Sequence, residues 1–421
     1  MDTVRPCIWR ALPEQIMKKA FENFRVVDTT HVLAGPFAAF QLATLGAEVI
    51  KVEDPNDPDQ ARAQGPDRAM NDIGMGAAFL GQGANKSCVA LDLKTPEGRE
   101  AMLRLLDTAD VFIENYRPGA FDALGLGYEA LKARNPKLIY CSLSAFGGTG
   151  PRREQRGYDN IIQAFSGYMA MTGDDPAKPF KCGAPIMDYA AGTTTAYAIA
   201  AALLQRERNG GTGVQIDVSM LDVAMMFATS HVASYFWNGK APQPKGNTYA
   251  FATIGMYHAS DAPMMVSASN LSQQRKLWTL LGRPELIKEN NNQRLDDHAR
   301  EAEALSQVFA TRTADDWESR LNAAGVPCAR IRRFDEALAD PQIAARGVLH
   351  RFDGAPGTVA GMTTTLAGFT MSEGGPSLDR LPQPVGAQTH SVLSSLGYRD
   401  TEIAEMQRKG VISGCAPLQT A

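Results

Sequence analysis

The chain reads as an α/β protein: a Rossmann-like large domain interrupted by a smaller α+β domain. Three observations predict this. Apolar, β-branched runs alternate with helical patterns through residues 24–144, the sign of a parallel sheet built with crossover helices. The first strand, helix and strand follow within Phe24–Val52. Near residue 248 the pattern changes to two adjacent strand candidates followed by consecutive helices, as in an α+β unit.

The elements follow in order. FRVVDTT (24–30) supplies a strand, and Gly35-Pro36 opens a helix that Gly46 ends as the left-handed residue past its last turn. EVIKV (48–52) and CVALDL (88–93) are strands, then a helix spans 95–109 with Thr95 as cap and Pro96 in its first position. ADVFIEN (109–115) and KLIYCSLS (137–144) are strands. In such a sheet ligands bind beyond the carboxyl ends of the strands, which selects the loops after Val27, Asn115 and Ser144. Helical spacing covers 158–172 and 188–208, VQIDVSM (214–220) is a strand, and an aromatic helical stretch from 222 is broken by Pro242, Pro244, Gly246 and Asn247. The small unit has strands IGMYHA and PMMVSAS, helices at 271–281, 298–311 and 314–324, and the strand VPCARI (326–331). Strand-like GVLHRF and LAGFTM and two short helices around Gly397 complete the chain. The expected division is 1–219 plus 346–421 for the large domain, 248–335 for the small one, and linkers 220–247 and 336–345.

Composition excludes several classes. With 421 residues, 44% hydrophobic and 21% charged, the chain has room for two cores. Its 42 basic and 46 acidic residues balance to a net charge of −4, which disfavours nucleic acid as a partner. Six cysteines stand at irregular intervals without a C-x-x-C pair, as in a reduced cytoplasmic protein. The N-terminus has no apolar core of an export signal, and Ala196–Leu204 falls far short of the ~20 residues of a membrane span.

The residues that carry chemistry are few. The loop Thr29–Pro36 stands where a dinucleotide fingerprint belongs but lacks G-x-G-x-x-G, and neither G-x-S-x-G nor H-E-x-x-H occurs. His31 by itself reads as a surface histidine. Asp188, in GAPIMDYAAGTTT, admits two readings: an ordinary capping aspartate, or a carboxylate that the helix N-terminus keeps ionised as a nucleophile or base.

Read together, THVLAGPFA (30–38), LGAEVIKVE (45–53), ANKSCVALDLKTPEGR (84–99), ADVFIENYRPGA (109–120), GLGYEAL (125–131), IYCSLSAFGGTGP (139–151), GYDNIIQAFSG (157–167) and the Asp188 segment resemble the class III coenzyme A transferases. Formyl-CoA transferase and carnitine CoA-transferase are members of that family. The resemblance runs in family order to the tail HSVLSSLGYRDTEIAEMQRKGVI. It implies an interlocked homodimer, no permanently bound cofactor or metal, and acyl-CoA with a small carboxylic acid as substrates. It makes Asp188 the nucleophile that carries an aspartyl-CoA thioester. It puts His31 and Val32 in the loop that meets the nucleotide end of CoA, and Asn85, Lys86, Asn115, Tyr116, Arg117, Ser144, Phe146 and Tyr158 in segments lining the CoA channel.

Departures refine the expectation. A racemase branch of the same superfamily has histidine where this chain reads Gly157-Tyr158-Asp159, and a tyrosine of pKa ~10 suits proton exchange poorly at neutral pH. Transfer is therefore favoured over racemisation, while a non-catalytic CoA-binding role stays open as an alternative. The glycine run of formyl-CoA transferase is missing from 242–255, and the segment after KVE has no tryptophan, which argues against oxalate and formate. The wording of 139–190 resembles the succinyl-CoA-dependent dicarboxylate branch. Arg152, Arg153, Arg156, Lys178 and Lys181 then read either as solvated loop charge or, for one of them, as the partner of a distal carboxylate.

Overall fold

A computed structural model describes residues 19–355 and 357–414. Residues 1–18, on which the expectation about export chiefly rests, lie outside the described residues. The chain forms two compact units: one from the described residues up to Ile162, Ala184–Thr229 and Gly347 onward, the other from Gln163–Gly183 and Ser230–Arg346.

In the first unit six strands, β1 (Arg25–Asp28), β2 (Glu48–Glu53), β3 (Lys86–Ala90), β4 (Val111–Glu114), β5 (Ile139–Ser144) and β6 (Gln215–Ser219), lie in the order β3-β2-β1-β4-β5-β6. All are parallel. Val27, Val49, Val111, Phe112 and Ile113 are fully buried, as expected of strands covered on both faces. The order reverses between β1 and β4, and a doubly wound sheet binds its ligand in the crevice at that point.

Helix α1 (Ala34–Thr44) follows β1, and α2 (Pro96–Asp107) starts with Thr95 Oγ1 accepting the Gly98 N–H at 3.1 Å. The long helix α3 (Ile186–Arg208) packs along α1 through Gly192, where a Cβ would meet the Ala34 carbonyl oxygen at 2.5 Å. Only glycine permits that approach. Asp188 lies one turn before Gly192 on the same helix face, so the packing that needs Gly192 also turns Asp188 toward the start of α1. Phe37 and Tyr189, with ring centroids 4.9 Å apart, reinforce the contact.

The second unit holds an antiparallel sheet of β7 (Ile254–His258), β8 (Pro263–Ser267) and β9 (Cys328–Arg330) in that order. Trp278, Leu305, Phe309 and Trp317 pack into its core from helices Leu271–Leu280, His298–Phe309 and Ala314–Ala323.

The division differs from the sequence reading in several places; residues 230–247 and 336–345, expected as linkers, and Arg346, expected in the large domain, fall in the second unit. Residues 163–183 belong with the second unit, tied there by the Gly246 N–H donating to the Gly173 carbonyl at 2.6 Å. Residues 220–229 stay with the first, anchored by the Leu221 N–H on the Ala145 carbonyl at 3.0 Å. The helix expected over 158–172 is broken at Gly167, whose φ of 88° ends one helix and starts another. LAGFTM is not a strand; the β-branched Thr363–Thr365 just before it pairs with Leu349–Arg351 instead.

Candidate active site

The loops after β1, β4 and β5 and the first turn of α3 enclose a cavity of about 590 Å³ in the first unit. His31, Val32, Asn115, Tyr116, Arg117, Ser144, Tyr158 and Asp188 all line it. Eight of the eleven residues singled out in the sequence therefore share one space. The other three do not line it. Asn85 stands at the amino end of β3, where its Oδ1 accepts the N–H groups of Asp379 at 2.9 Å and Arg380 at 3.0 Å. Lys86 is buried, its Nζ donating to Asp28 Oδ2 at 3.0 Å and to the Pro36 carbonyl at 2.8 Å. Phe146 packs beside Gly157. Both Asn85 and Lys86 precede or begin their strand, and the cavity lies beyond the carboxyl ends.

Asp188 is the third residue of α3, a helix whose N-cap is Pro185 and has no side-chain cap. The expectation that the helix terminus keeps this carboxyl ionised is corrected by the structure. Burial, seconded by the charge of Asp159, pushes it from the usual carboxylate range up to about 7. Asp159 accepts the Met187 N–H at 2.7 Å and so brings a second carboxyl to the start of α3. Among the described residues no donor is hydrogen-bonded to the Asp188 carboxyl, which leaves desolvation uncompensated.

The β1–α1 loop is held by side chains. Asn115 Oδ1 accepts the His31 N–H at 2.8 Å, and its Nδ2 donates to the His31 carbonyl at 2.9 Å. The His31 Nε2 meets the Tyr116 hydroxyl. Burial and the nearby Lys51 charge lower the His31 pKa, and burial raises the Tyr116 phenol to about 12, so both are neutral near pH 7. Beneath the loop lie three buried ion pairs: Lys51 with Asp59 at 2.9 Å, Lys86 with Asp28 at 3.0 Å and Arg62 with Glu53 at 2.7 Å. Burial alone would raise Asp28, but the ammonium groups of Lys86 and Lys51 outweigh it and hold the carboxyl at about 2.

Sequence reasoning missed Lys51, Glu53, Asp59 and Gln82. A signal existed: Lys51 and Glu53 are charges within a strand otherwise reading as fully buried. Charges there must be paired to be tolerated. Of the five basic residues flanking the acid, only Arg153 and Arg156 line the cavity. Arg153 pairs with Glu154 at 2.9 Å, whereas Arg156 has no ion pair among the described residues.

The family model for CoA-transferase family III matches residues 21–389. The chain belongs to that family. It is 36% identical over 355 residues to the succinate–glutarate CoA-transferase of Agrobacterium fabrum, covering 81% of this chain and 87% of that protein. Over 344 residues it is 36% identical to the acetyl-CoA:oxalate CoA-transferase of Acetobacter aceti, covering 80% and 87%. A solved CAIB/BAIF family protein from Brucella suis superposes with a TM-score of 0.78 at 32% identity, over 90% of this chain and 100% of that one. The protein is a CoA-transferase with the α/β fold of its family. Among the described residues no helix is long and apolar enough to cross a membrane.

Proposed function

We propose that the protein transfers CoA from succinyl-CoA, or a donor of that kind, to a small dicarboxylic acid through an aspartyl-CoA thioester on Asp188. The observation that carries this reading is the Asp188 carboxyl, half-ionised near neutral pH and poorly solvated, facing the cavity that the His31, Asn115 and Ser144 loops share. A desolvated carboxylate is a better nucleophile than a hydrated one. It attacks the thioester carbonyl, and the C–S bond breaks to give a mixed anhydride and CoA thiolate. The thiolate attacks the Asp188 carbonyl, the anhydride C–O bond breaks, and the donor acid leaves as its carboxylate. The acceptor carboxylate then reverses both steps, regenerating Asp188 and releasing the new acyl-CoA. Each addition develops an oxyanion that backbone N–H groups must stabilise.

Arg156 is the residue we assign to the acceptor's distal carboxylate, since a guanidinium without an internal partner suits that group. Relatives named for glutarate and for oxalate support the dicarboxylate class and put oxalate back among the candidates, despite the missing glycine run. The reading includes a second copy of the chain: Tyr197 on α3 is 75% exposed, and Met226 and Phe227 are exposed beyond β6, an apolar surface that a partner would cover. Light scattering should then report twice the chain mass.

The test incubates the protein with succinyl-CoA and a panel of acids that includes glutarate and oxalate, and follows new thioesters by mass spectrometry. A CoA adduct on the Asp188 peptide is expected. Absence of both adduct and exchange, or exchange of the α-proton with solvent deuterium instead, overturns the reading.

A further inference from the structure

Val32 has φ 71°, in the left-handed region. The other described non-glycine residues there are Asn23 and Asn85. Asparagine tolerates that conformation, but a β-branched side chain crowds its own backbone and is a genuine outlier. Strain of this kind persists only where the surroundings enforce it.

The enforcing groups can be named. Val32 N–H donates to Asp59 Oδ1 at 2.9 Å, and the Val32 carbonyl accepts from Gln82 Nε2 at 2.6 Å. Asp59 is 1% exposed and Gln82 3% exposed, and Asp59 is itself fixed by Lys51 Nζ at 2.9 Å and by the Ala61 N–H at 3.0 Å. The two preceding residues are treated alike. Thr30 N–H donates to Asp28 Oδ1 at 2.9 Å and its carbonyl accepts from Lys51 at 2.7 Å, while Asn115 takes both backbone groups of His31. The N–H and C=O of Thr30, His31 and Val32 are therefore all bonded to side chains. A tight turn ordinarily bonds within itself. Apart from Asp28, two residues before Thr30, the groups that shape this one are brought from elsewhere in the unit.

We propose that Gln82 and Asp59 are positioning residues that hold Val32 left-handed and thereby present His31, Val32 and the start of α1 to coenzyme A. This rests on the reading that the cavity takes CoA. Neither residue touches the cavity's reacting carboxyl; their effect passes through the Val32 backbone. Without Gln82 the Val32 carbonyl loses its bond, the residue relaxes toward ordinary φ, and the loop shifts while Asp188, on a different helix, stays in place.

The test is a double-mutant cycle. Gln82→Met is nearly isosteric and removes the donor. It should raise the KM for acyl-CoA and the Kd for CoA, measured calorimetrically, by ~10-fold while kcat changes less than ~2-fold. Val32→Gly and Val32→Asn accept positive φ, so in either background the same Gln82→Met change should cost less than ~3-fold. Val32→Thr keeps the β-branch and the volume, and the full cost should persist there. A Gln82→Met effect equal in the Gly, Asn and Thr backgrounds overturns the latch, as does a loss confined to kcat. If the methionine variant does not fold, Gln82→Leu enters the same cycle. Failure of the wild-type protein to bind CoA in the calorimeter would instead overturn the assignment of the cavity, a result distinguishable from failure of the latch.

Discussion

Asp188 in the first unit and Glu301 in the second are both carboxyls that burial pushes to about 7, yet they stand in opposite situations. Asp188 keeps 8% of its surface exposed and lines a cavity. Glu301 is fully enclosed in a core with Leu305 and Trp278, and neither of its oxygens makes a hydrogen bond of good geometry among the described residues. The comparison teaches that a shifted pKa marks cost, and that access decides whether the cost has a chemical use. Three buried acids beneath the site, Asp28, Glu53 and Asp59, each face a lysine or arginine and need no such explanation.

The largest effect expected from this contrast is at Asp188. Asp188→Asn should lower CoA transfer by ~10³-fold or more and abolish the adduct, with no loss of thermal stability. Because the ionised form is the nucleophile, kcat/KM of the wild-type enzyme should rise with pH through about 7 and level off above it. An activity that falls over that interval would remove Asp188 from the role.

Next is a paired acid deprived of its partner. Arg62→Met leaves Glu53 buried and uncompensated, and thermal or urea unfolding should record a loss of ~3–5 kcal/mol. A loss below ~1 kcal/mol would mean that water reaches the pair and that the contrast with Glu301 is overstated.

A smaller, substrate-dependent effect is expected at the cavity wall. Arg156→Ala should raise the KM for a dicarboxylate acceptor ~10-fold and leave a monocarboxylate acceptor nearly unchanged. Equal losses for both acids would assign the arginine to CoA instead.

The smallest effect concerns Glu301. Its folded-state pKa is raised, so the stability it permits is complete below its ordinary value of 4.5 and is lost as pH rises through about 7. Glu301→Gln should therefore stabilise the protein at pH 8 by ~1 kcal/mol and have little influence at pH 4. Calorimetric unfolding at the two pH values decides it; a variant less stable than wild type at pH 8 would show that the carboxylate is compensated there.

Much of the fold was legible because its signals are local. Thr95 and Pro96 start a helix, Gly46 ends one with φ 99°, and the Val- and Ile-rich runs form the parallel strands. The resemblance among motifs brought the residues of three separate loops to one site, and eight of eleven line it. Asn85 and Lys86 fall outside because a motif adjacent to a strand does not tell which end of the strand carries its side chains to the ligand. Gln82 was invisible for another reason: nothing near it in sequence marks an amide whose partner is the carbonyl of residue 32.

By itself, then, the sequence determined the alternation of elements, their caps, and which side chains each loop could offer, since periodicity and capping act over a few residues. Only the tertiary structure decided that Asp188 is poised near neutral pH and that Val32 is held left-handed. Those properties depend on burial and on partners distant along the chain: Asp159 for one, Asp59 and Gln82 for the other.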